Sequence, residues 1–310
     1  MTAAHQADVT VIIVNWNTRD LLRRCLDSLQ ADAGPLVLQV IVVDNGSRDG
    51  SQELLHSAYP WVTLIENSAN VGFARANNQG AALACTPLLL LLNSDAAMVP
   101  GGLWTAVHFM HEHPTVGIAG LQLLNDNRTL QPSGKRFPTL LSTIVGLLPV
   151  PEQWRGAYDR RRNARDYART ALVDEVSAAA MVVRRDLFHA VGGFDEYFHF
   201  FGEDIDLSWR IRKAGYEVAY LPSAQAVHSW GGARARTPSI RQGLLSQRAQ
   251  YMLLQRHKPA WQATLLRSFL IGLTAARLVR AVAQILQRHT PVPCSIAHLY
   301  GRELLWLLRH

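Results

Sequence analysis

At 310 residues, 48% of them hydrophobic, the chain can bury a large core and is too apolar to be a disordered segment. Its three cysteines, Cys25, Cys85 and Cys294, stand far apart without CxxC spacing, which excludes a disulfide framework and points to thiols in a reducing compartment. The net charge of +7 is uneven: from His228 onward twelve Arg and Lys stand against the single acid Glu303, a tail of +11 on a body of −4.

In chain order, Met1 to Asp8 has neither the basic start nor the apolar core of a signal peptide, so secretion is not expected. Residues 9–14 form a continuous β-branched run, as in a strand covered on both faces. Asn17 or Thr18 then offers a helix N-cap, and Leu21, Leu22, Cys25, Leu26 and Leu29 recur at helical spacing. A second buried strand over 37–43 ends at the turn Asp44-Asn45-Gly46-Ser47. A helix over 49–57, a strand over 62–66, an Ala-rich helix over 72–84 and a leucine strand over 88–92 complete the series. Alternating strands and helices with short connections predict an α/β fold with a doubly wound, mostly parallel sheet. In such sheets ligands collect at the carboxyl ends of the strands, where Asp44, Glu66-Asn67 and Asn93-Ser94-Asp95 stand.

Over 125–174 the pattern breaks into an excursion marked by four prolines, Trp154, Tyr158 and the basic run Arg160-Arg161-Arg162. Pattern resumes with an apolar run over 176–183, helices over 185–191 and 204–214, and a last strand over 217–221. After about Leu244 the chain reads as helical. Residues 261–287 are apolar but interrupted by Arg267, Arg277 and Arg280. The longest uncharged stretch, 268–276, falls short of the ~20 residues that cross a bilayer, so an in-plane amphipathic helix is expected. The expected domains are 1–230 and a basic helical extension, 231–310.

Several residues carry candidate chemistry, each beside a plainer alternative. Asp44, delivered to a strand end, suits a base N–H or ribose hydroxyl, or merely caps its turn. Asn70 to Asn78 puts Gly72 and small residues at a helix start that favours negative charge; amide capping explains Asn70 but neither Arg75 nor the Asn77-Asn78 pair. The segment is not GxGxxG, which weakens a nicotinamide oxidoreductase. Asp95 is placed for Mg2+ or Mn2+, ions that complete their shells with phosphates and water. His228 is the candidate second ligand, or a structural histidine. Glu203 and Asp204 begin a helix, where acids complement the dipole; with Asp206 beside them they exceed that need, and burial against the nearby phenylalanines would raise a carboxyl toward the range of a general base.

Together these residues resemble the family 2 glycosyltransferases of the GT-A (Rossmann-like) fold, nearest the bacterial rhamnosyltransferase-like branch. The matching segments are Val11-Ile12-Ile13-Val14-Asn15-Trp16-Asn17, Val42-Val43-Asp44-Asn45-Gly46-Ser47, Asn70-Val71-Gly72-Phe73-Ala74, Leu92-Asn93-Ser94-Asp95, Gly192-Gly193-Phe194-Asp195-Glu196 and Phe201-Gly202-Glu203-Asp204-Ile205-Asp206-Leu207. The resemblance implies that Asp204 is the catalytic base with Glu203 beside it, that Asp95 is the acid of a DxD-type metal motif opened by Asn93, and that His228 contacts the metal. It assigns the nucleotide sugar to Asn15, Asp44, Asn70, Arg75, Asn78, Asn93 and Ser94. Asn93 in place of Asp implies a weaker metal site, and Ala178 stands where relatives carry Gly, narrowing the acceptor side.

The expected reaction is an inverting transfer of rhamnose from dTDP-rhamnose, or of a UDP-linked hexose or galactofuranose, to a saccharide or lipid-linked saccharide in cell-surface polysaccharide synthesis. The expected cofactor is Mg2+ or Mn2+, and the expected place is the cytoplasmic face of the plasma membrane, with the basic tail in peripheral contact with anionic lipid. No nucleic acid is expected as a partner. Two other classes compete: a nucleic-acid-binding protein, which leaves the acids at the sheet edge unexplained, and a catalytically silent scaffold of the same fold.

Overall fold

The computed structural model describes residues 7–148, 166–198, 201–229, 239–286 and 294–310. The β-branched run becomes β1 (Val9–Asn15), followed by β2 (Leu38–Asp44), β3 (Thr63–Glu66) and β4 (Leu88–Asn93), with α1 (Arg19–Asp32), α2 (Ser51–Ala58) and α3 (Phe73–Ala82) between them. These four strands are parallel, in the order β3-β2-β1-β4. Helix α1 buries Leu22, Cys25, Leu26 and Leu29, a stripe at helical spacing. The leucines of β4 are all buried. At roughly 1.5–3 kcal/mol for each fully buried leucine, this strand anchors the core.

Past β4 come β5 (Ala96–Met98), α4 (Gly102–Glu112) and β6 (Val116–Leu124). The described part of the excursion is not a bare loop: it holds β7 (Leu130–Gln131), β8 (Gly134–Lys135), α5 (Leu140–Leu147) and β9 (Ala171–Val173). Then follow β10 (Glu175–Val176), β11 (Ala180–Arg184), α6 (Arg185–Ala190), α7 (Glu203–Lys213) and β12 (Glu217–His228). Strand β7 pairs with β6, β9 with β12 and β8 with β10. Trp154, Tyr158 and Arg160 to Arg162 lie outside the described residues.

The full sheet runs β3-β2-β1-β4-β11-β6-β12-β5, with β7 and β9 attached. It is doubly wound and mostly parallel as expected, with β11 reversed between β4 and β6. The apolar run over 176–183 is split, because residues 177–179 carry the chain from the β8–β10 pair into the main sheet. A Cβ on Gly120 would lie 2.4 Å from the Cβ of Val176, so only glycine admits this crossing. The last strand extends beyond its expected end at 221: the pairing of β12 with β6 shifts register between Leu221 and Gln225, around Pro222, and then resumes. His228 therefore stands on the strand itself.

The chain divides into two compact units, Met1–Phe137 with Asp159–Arg236, and Pro138–Tyr158 with Thr237–His310. The first holds the sheet. The second holds α5, α8 (Ser239–His257), α9 (Ala260–Leu286) and α10 (Cys294–Arg309). Within it Glu303 is buried and paired with Arg248 at 2.7 Å, and the Arg248 guanidinium lies 4.6 Å from the Trp306 ring centre. Arg267 donates to the carbonyls of Leu307 and Leu308, where a cation complements the end of α10.

Helix α9 spans 27 residues, ~40 Å at 1.5 Å per residue. Length and composition make it long and apolar enough to cross a membrane, although its longest uncharged run is short. Its outward positions at helical spacing include Trp261, Leu265, Gly272, Ala276, Val279 and Leu286, all exposed and none charged. Arg280 is exposed at the edge of that line, while Arg267 and Arg277 are half-buried. Cys25 is buried while Cys85 and Cys294 are exposed, and all three are free thiols. Burial pushes the Cys25 thiol up, which makes it inert.

Candidate active site

The parallel register aligns the ends of the first strands: Asn15 is level with Asp44, Asp44 with Glu66, and Val14 with Asn93. Asp44 is fully buried. Its Oδ2 accepts from Asn15 Nδ2 at 2.7 Å, and its Oδ1 from the Ser47 N–H at 2.8 Å and Gln52 Nε2 at 2.9 Å. Asn15 Oδ1 in turn accepts from the Thr18 hydroxyl at 2.6 Å, and that hydroxyl also meets Ser94 Oγ at 2.8 Å. Asp44 thus holds its turn, and Asn15 is its partner. Thr18 precedes α1 without capping it; the first helical N–H, on Arg19, goes to Asp49 Oδ2 instead.

A second group forms where β5 pairs antiparallel with β12. His228 is registered opposite Ala96, and the Ser229 N–H donates to the Asp95 carbonyl, so the neighbouring side chain of Asp95 meets the imidazole. His228 Nε2 lies 3.2 Å from Asp95 Oδ1, with both side chains largely buried. Its Nδ1 is 2.8 Å from Gln131 Oε1, and Asn93 Nδ2 approaches Nε2 at 3.3 Å. Gln131 directs its own Nε2 to Asn125 Oδ1, so its oxygen faces Nδ1. Nε2 thus faces a carboxylate oxygen and an amide NH2, and a proton or a cation between Nε2 and the carboxylate satisfies that contact.

Beside it, Asn93 Oδ1 is buried without a hydrogen bond among the described residues. A carboxylate, an imidazole nitrogen and an unsatisfied amide oxygen fit a divalent cation. Among the described residues no three His, Cys, Asp or Glu converge. So sparse a set suits an ion held largely by ligand phosphates and water.

The third group is the acid pair at the start of α7, whose N-cap Gly202 has φ 93°. Asp204 is partly buried and Glu203 more so. Asp204 Oδ1 accepts from the Ile205 N–H at 2.8 Å, and Oδ2 from the Ala178 N–H at 3.4 Å. Burial raises the Asp204 pKa, opposed by these N–H groups and by the charge of Lys135. Burial, and then the Asp204 charge, pushes the Glu203 carboxyl up to about 8, so it holds its proton at neutral pH. Asp206 is buried and paired with Arg210 at 2.7 Å, a bond within the helix. The segment that carries Ala178 also takes the Asn93 N–H on Ala179 O at 3.0 Å, so the acid pair and the Asp95 group share one end of the sheet.

The remaining nominated residues are placed differently. Arg75 is exposed on α3, and Asn70 Oδ1 accepts the Gly72 N–H at 2.9 Å as a turn residue. Asn78 grips the backbone of Phe194 at both ends of its amide, 2.8 Å to the carbonyl and 2.9 Å from the N–H, and so fixes the 192–194 loop. Ser47, Gln52, Gln131 and Lys135 were not nominated from sequence. The last two sit on two-residue strands inside the excursion, too short to show periodicity.

Residues 10–191 match the protein family described as Glycosyl transferase family 2. The chain is 29% identical to an N-acetylglucosaminyl-diphospho-decaprenol L-rhamnosyltransferase of Mycobacterium tuberculosis over 293 residues, 90% of this chain and 94% of that one. It is 28% identical to rhamnosyltransferase WbbL of Escherichia coli strain K12 over 230 residues, 71% of this chain and 83% of that one. Among solved structures, the mannosyltransferase PcManGT from Pyrobaculum calidifontis, in complex with GDP-Man and Mn2+, superposes with a TM-score of 0.57 at 18% identity. That likeness covers 98% of this chain and 88% of the other, and it is one of fold.

Proposed function

The chain belongs to glycosyl transferase family 2, and we propose that it moves rhamnose from dTDP-rhamnose, with inversion, onto a saccharide carried by a lipid. The observation behind this reading is the convergence on one sheet end of a cation-suited donor set, Asp95, His228 and Asn93, with a carboxylate of raised pKa, Asp204. The rhamnosyl choice leans on the names of the two relatives, one of which acts on a decaprenyl diphosphate sugar by its name.

Asp204 accepts the proton of an acceptor hydroxyl as its oxygen bonds to the anomeric carbon, and the sugar–phosphate bond breaks to release the nucleoside diphosphate. Asp95 and His228, with Asn93 beside them, would hold Mg2+ or Mn2+, which would supply neutralisation of the departing charge. Protonated Glu203 spares Asp204 the repulsion of a second charge beside it. Asn15 and Asp44 shape the nucleoside end from below; Ser94 and Arg75 remain candidate donor contacts.

A panel of nucleotide sugars, with and without Mn2+, tests this. Turnover greatest with dTDP-rhamnose is expected; preference for a UDP-hexose or UDP-galactofuranose would replace the donor. No turnover of any donor, together with salt-sensitive binding to random DNA, would discard the enzyme reading.

We further propose that α9 rests its apolar outer face, bordered by Arg280, on the cytoplasmic leaflet, the basic residues of the tail drawing it to anionic lipid. Leu265→Glu with Val279→Glu should reduce co-sedimentation with phosphatidylglycerol vesicles. Equal sedimentation of the variant would remove that contact.

A further inference from the structure

We infer that Gln131 is a positioning residue for His228: it holds the ring in the Nδ1–H tautomer and so keeps Nε2 turned to Asp95 and Asn93. This rests on the reading of His228 as a metal-side group, and it adds a chain of amides that begins in the turn between β6 and β7.

The direction of that chain follows from its first member. The Thr129 hydroxyl donates to Asn127 Oδ1 at 2.6 Å and accepts from Asn125 Nδ2 at 2.9 Å. With its NH2 committed there, Asn125 offers Oδ1 to Gln131 Nε2 at 3.1 Å. Gln131 therefore presents oxygen, not nitrogen, to His228 Nδ1 at 2.8 Å. An imidazole nitrogen facing a carbonyl oxygen carries hydrogen, and in the neutral ring the other nitrogen is then a lone pair.

The backbone keeps the chain in register. Asn125 N–H donates to Thr129 O at 2.8 Å, Arg128 turns with φ 63°, and Gln131 is registered opposite Leu123 on β6. Gln131 is buried, so no solvent competes for its oxygen. Groups that orient a metal-binding histidine through its far nitrogen act by setting tautomer and ring angle, and losing one costs ~10–100-fold in metal affinity.

The test is Gln131→Met, which keeps the length of the side chain and removes the acceptor, beside Gln131→Glu, which restores an acceptor. Nitrogen-15 NMR of the imidazole, at a pH where the spectrum shows a neutral ring, reports the tautomer with no metal or substrate present, and Mn2+ titration with nucleoside diphosphate reports affinity. Expected for Gln131→Met is a folded protein with mixed His228 tautomers and Mn2+ affinity ~10–100-fold weaker, with recovery toward wild type in Gln131→Glu. A folded Gln131→Met protein with an unchanged Nδ1–H tautomer overturns the inference. His228→Ala is the separate control: unchanged Mn2+ affinity there sinks the metal reading itself, whatever the tautomer spectrum shows.

Discussion

Asp204→Asn should lower turnover about 10²–10⁴-fold, the usual worth of a general base, while donor affinity holds. Asparagine matches aspartate in size, and its oxygen can still accept the Ile205 N–H, so the start of α7 should persist. What disappears is the ability to take a proton. The pH profile sharpens the test. Burial raises the Asp204 pKa, so activity, which needs the ionised form, should fall on acidification at a pH above the ordinary aspartate range. The residual activity of the variant should lack that limb. Full turnover in a folded Asp204→Asn protein would remove this residue as the base, and a limb that survives would assign the titration to another group.

Asp95→Ala is the second large effect expected. A residue that only orients a metal ligand is worth ~10–100-fold in metal affinity, so losing the carboxylate itself should cost at least as much. The backbone contact of Asp95 with Ser229 does not involve the side chain, so the β5–β12 pairing should survive. Mn2+ titrations in the presence of dTDP should shift accordingly, with donor binding weakened in parallel. A titration that superposes on wild type would separate Asp95 from the metal.

Much of this frame was legible in sequence because burial leaves a periodic trace. Strands covered on both faces read as unbroken apolar runs, so β1, β2 and β4 emerged close to their observed bounds, and α1 by its stripe. Strand direction leaves no such trace: an apolar run reads the same either way, so the reversal of β11 became visible only through its partners. The end of β12 was hidden by Pro222, which breaks the apolar run where the bulge lets the strand continue.

In the site, the acids stood out because each stands where a buried element begins or ends. The groups that orient them did not. Gln52, Gln131 and Lys135 owe their roles to partners brought near by folding, in the case of Gln131 and His228 across 97 positions. The grip of the Asn78 amide on the Phe194 backbone, 116 positions away, is hidden in the sequence for the same reason.

The buried carboxylate of Asp44 draws its three donors from three separate segments: the end of β1, the turn after β2 and the first turn of α2. None of these can shift without stranding an anion away from water, so the corner moves as a single cooperative body or not at all. On the proposed reading, a nucleoside arriving there would meet walls whose freedom was already surrendered when the chain folded. The entropy lost on binding at this corner would then be mainly the visitor's own, and affinity would gain from a floor set in advance.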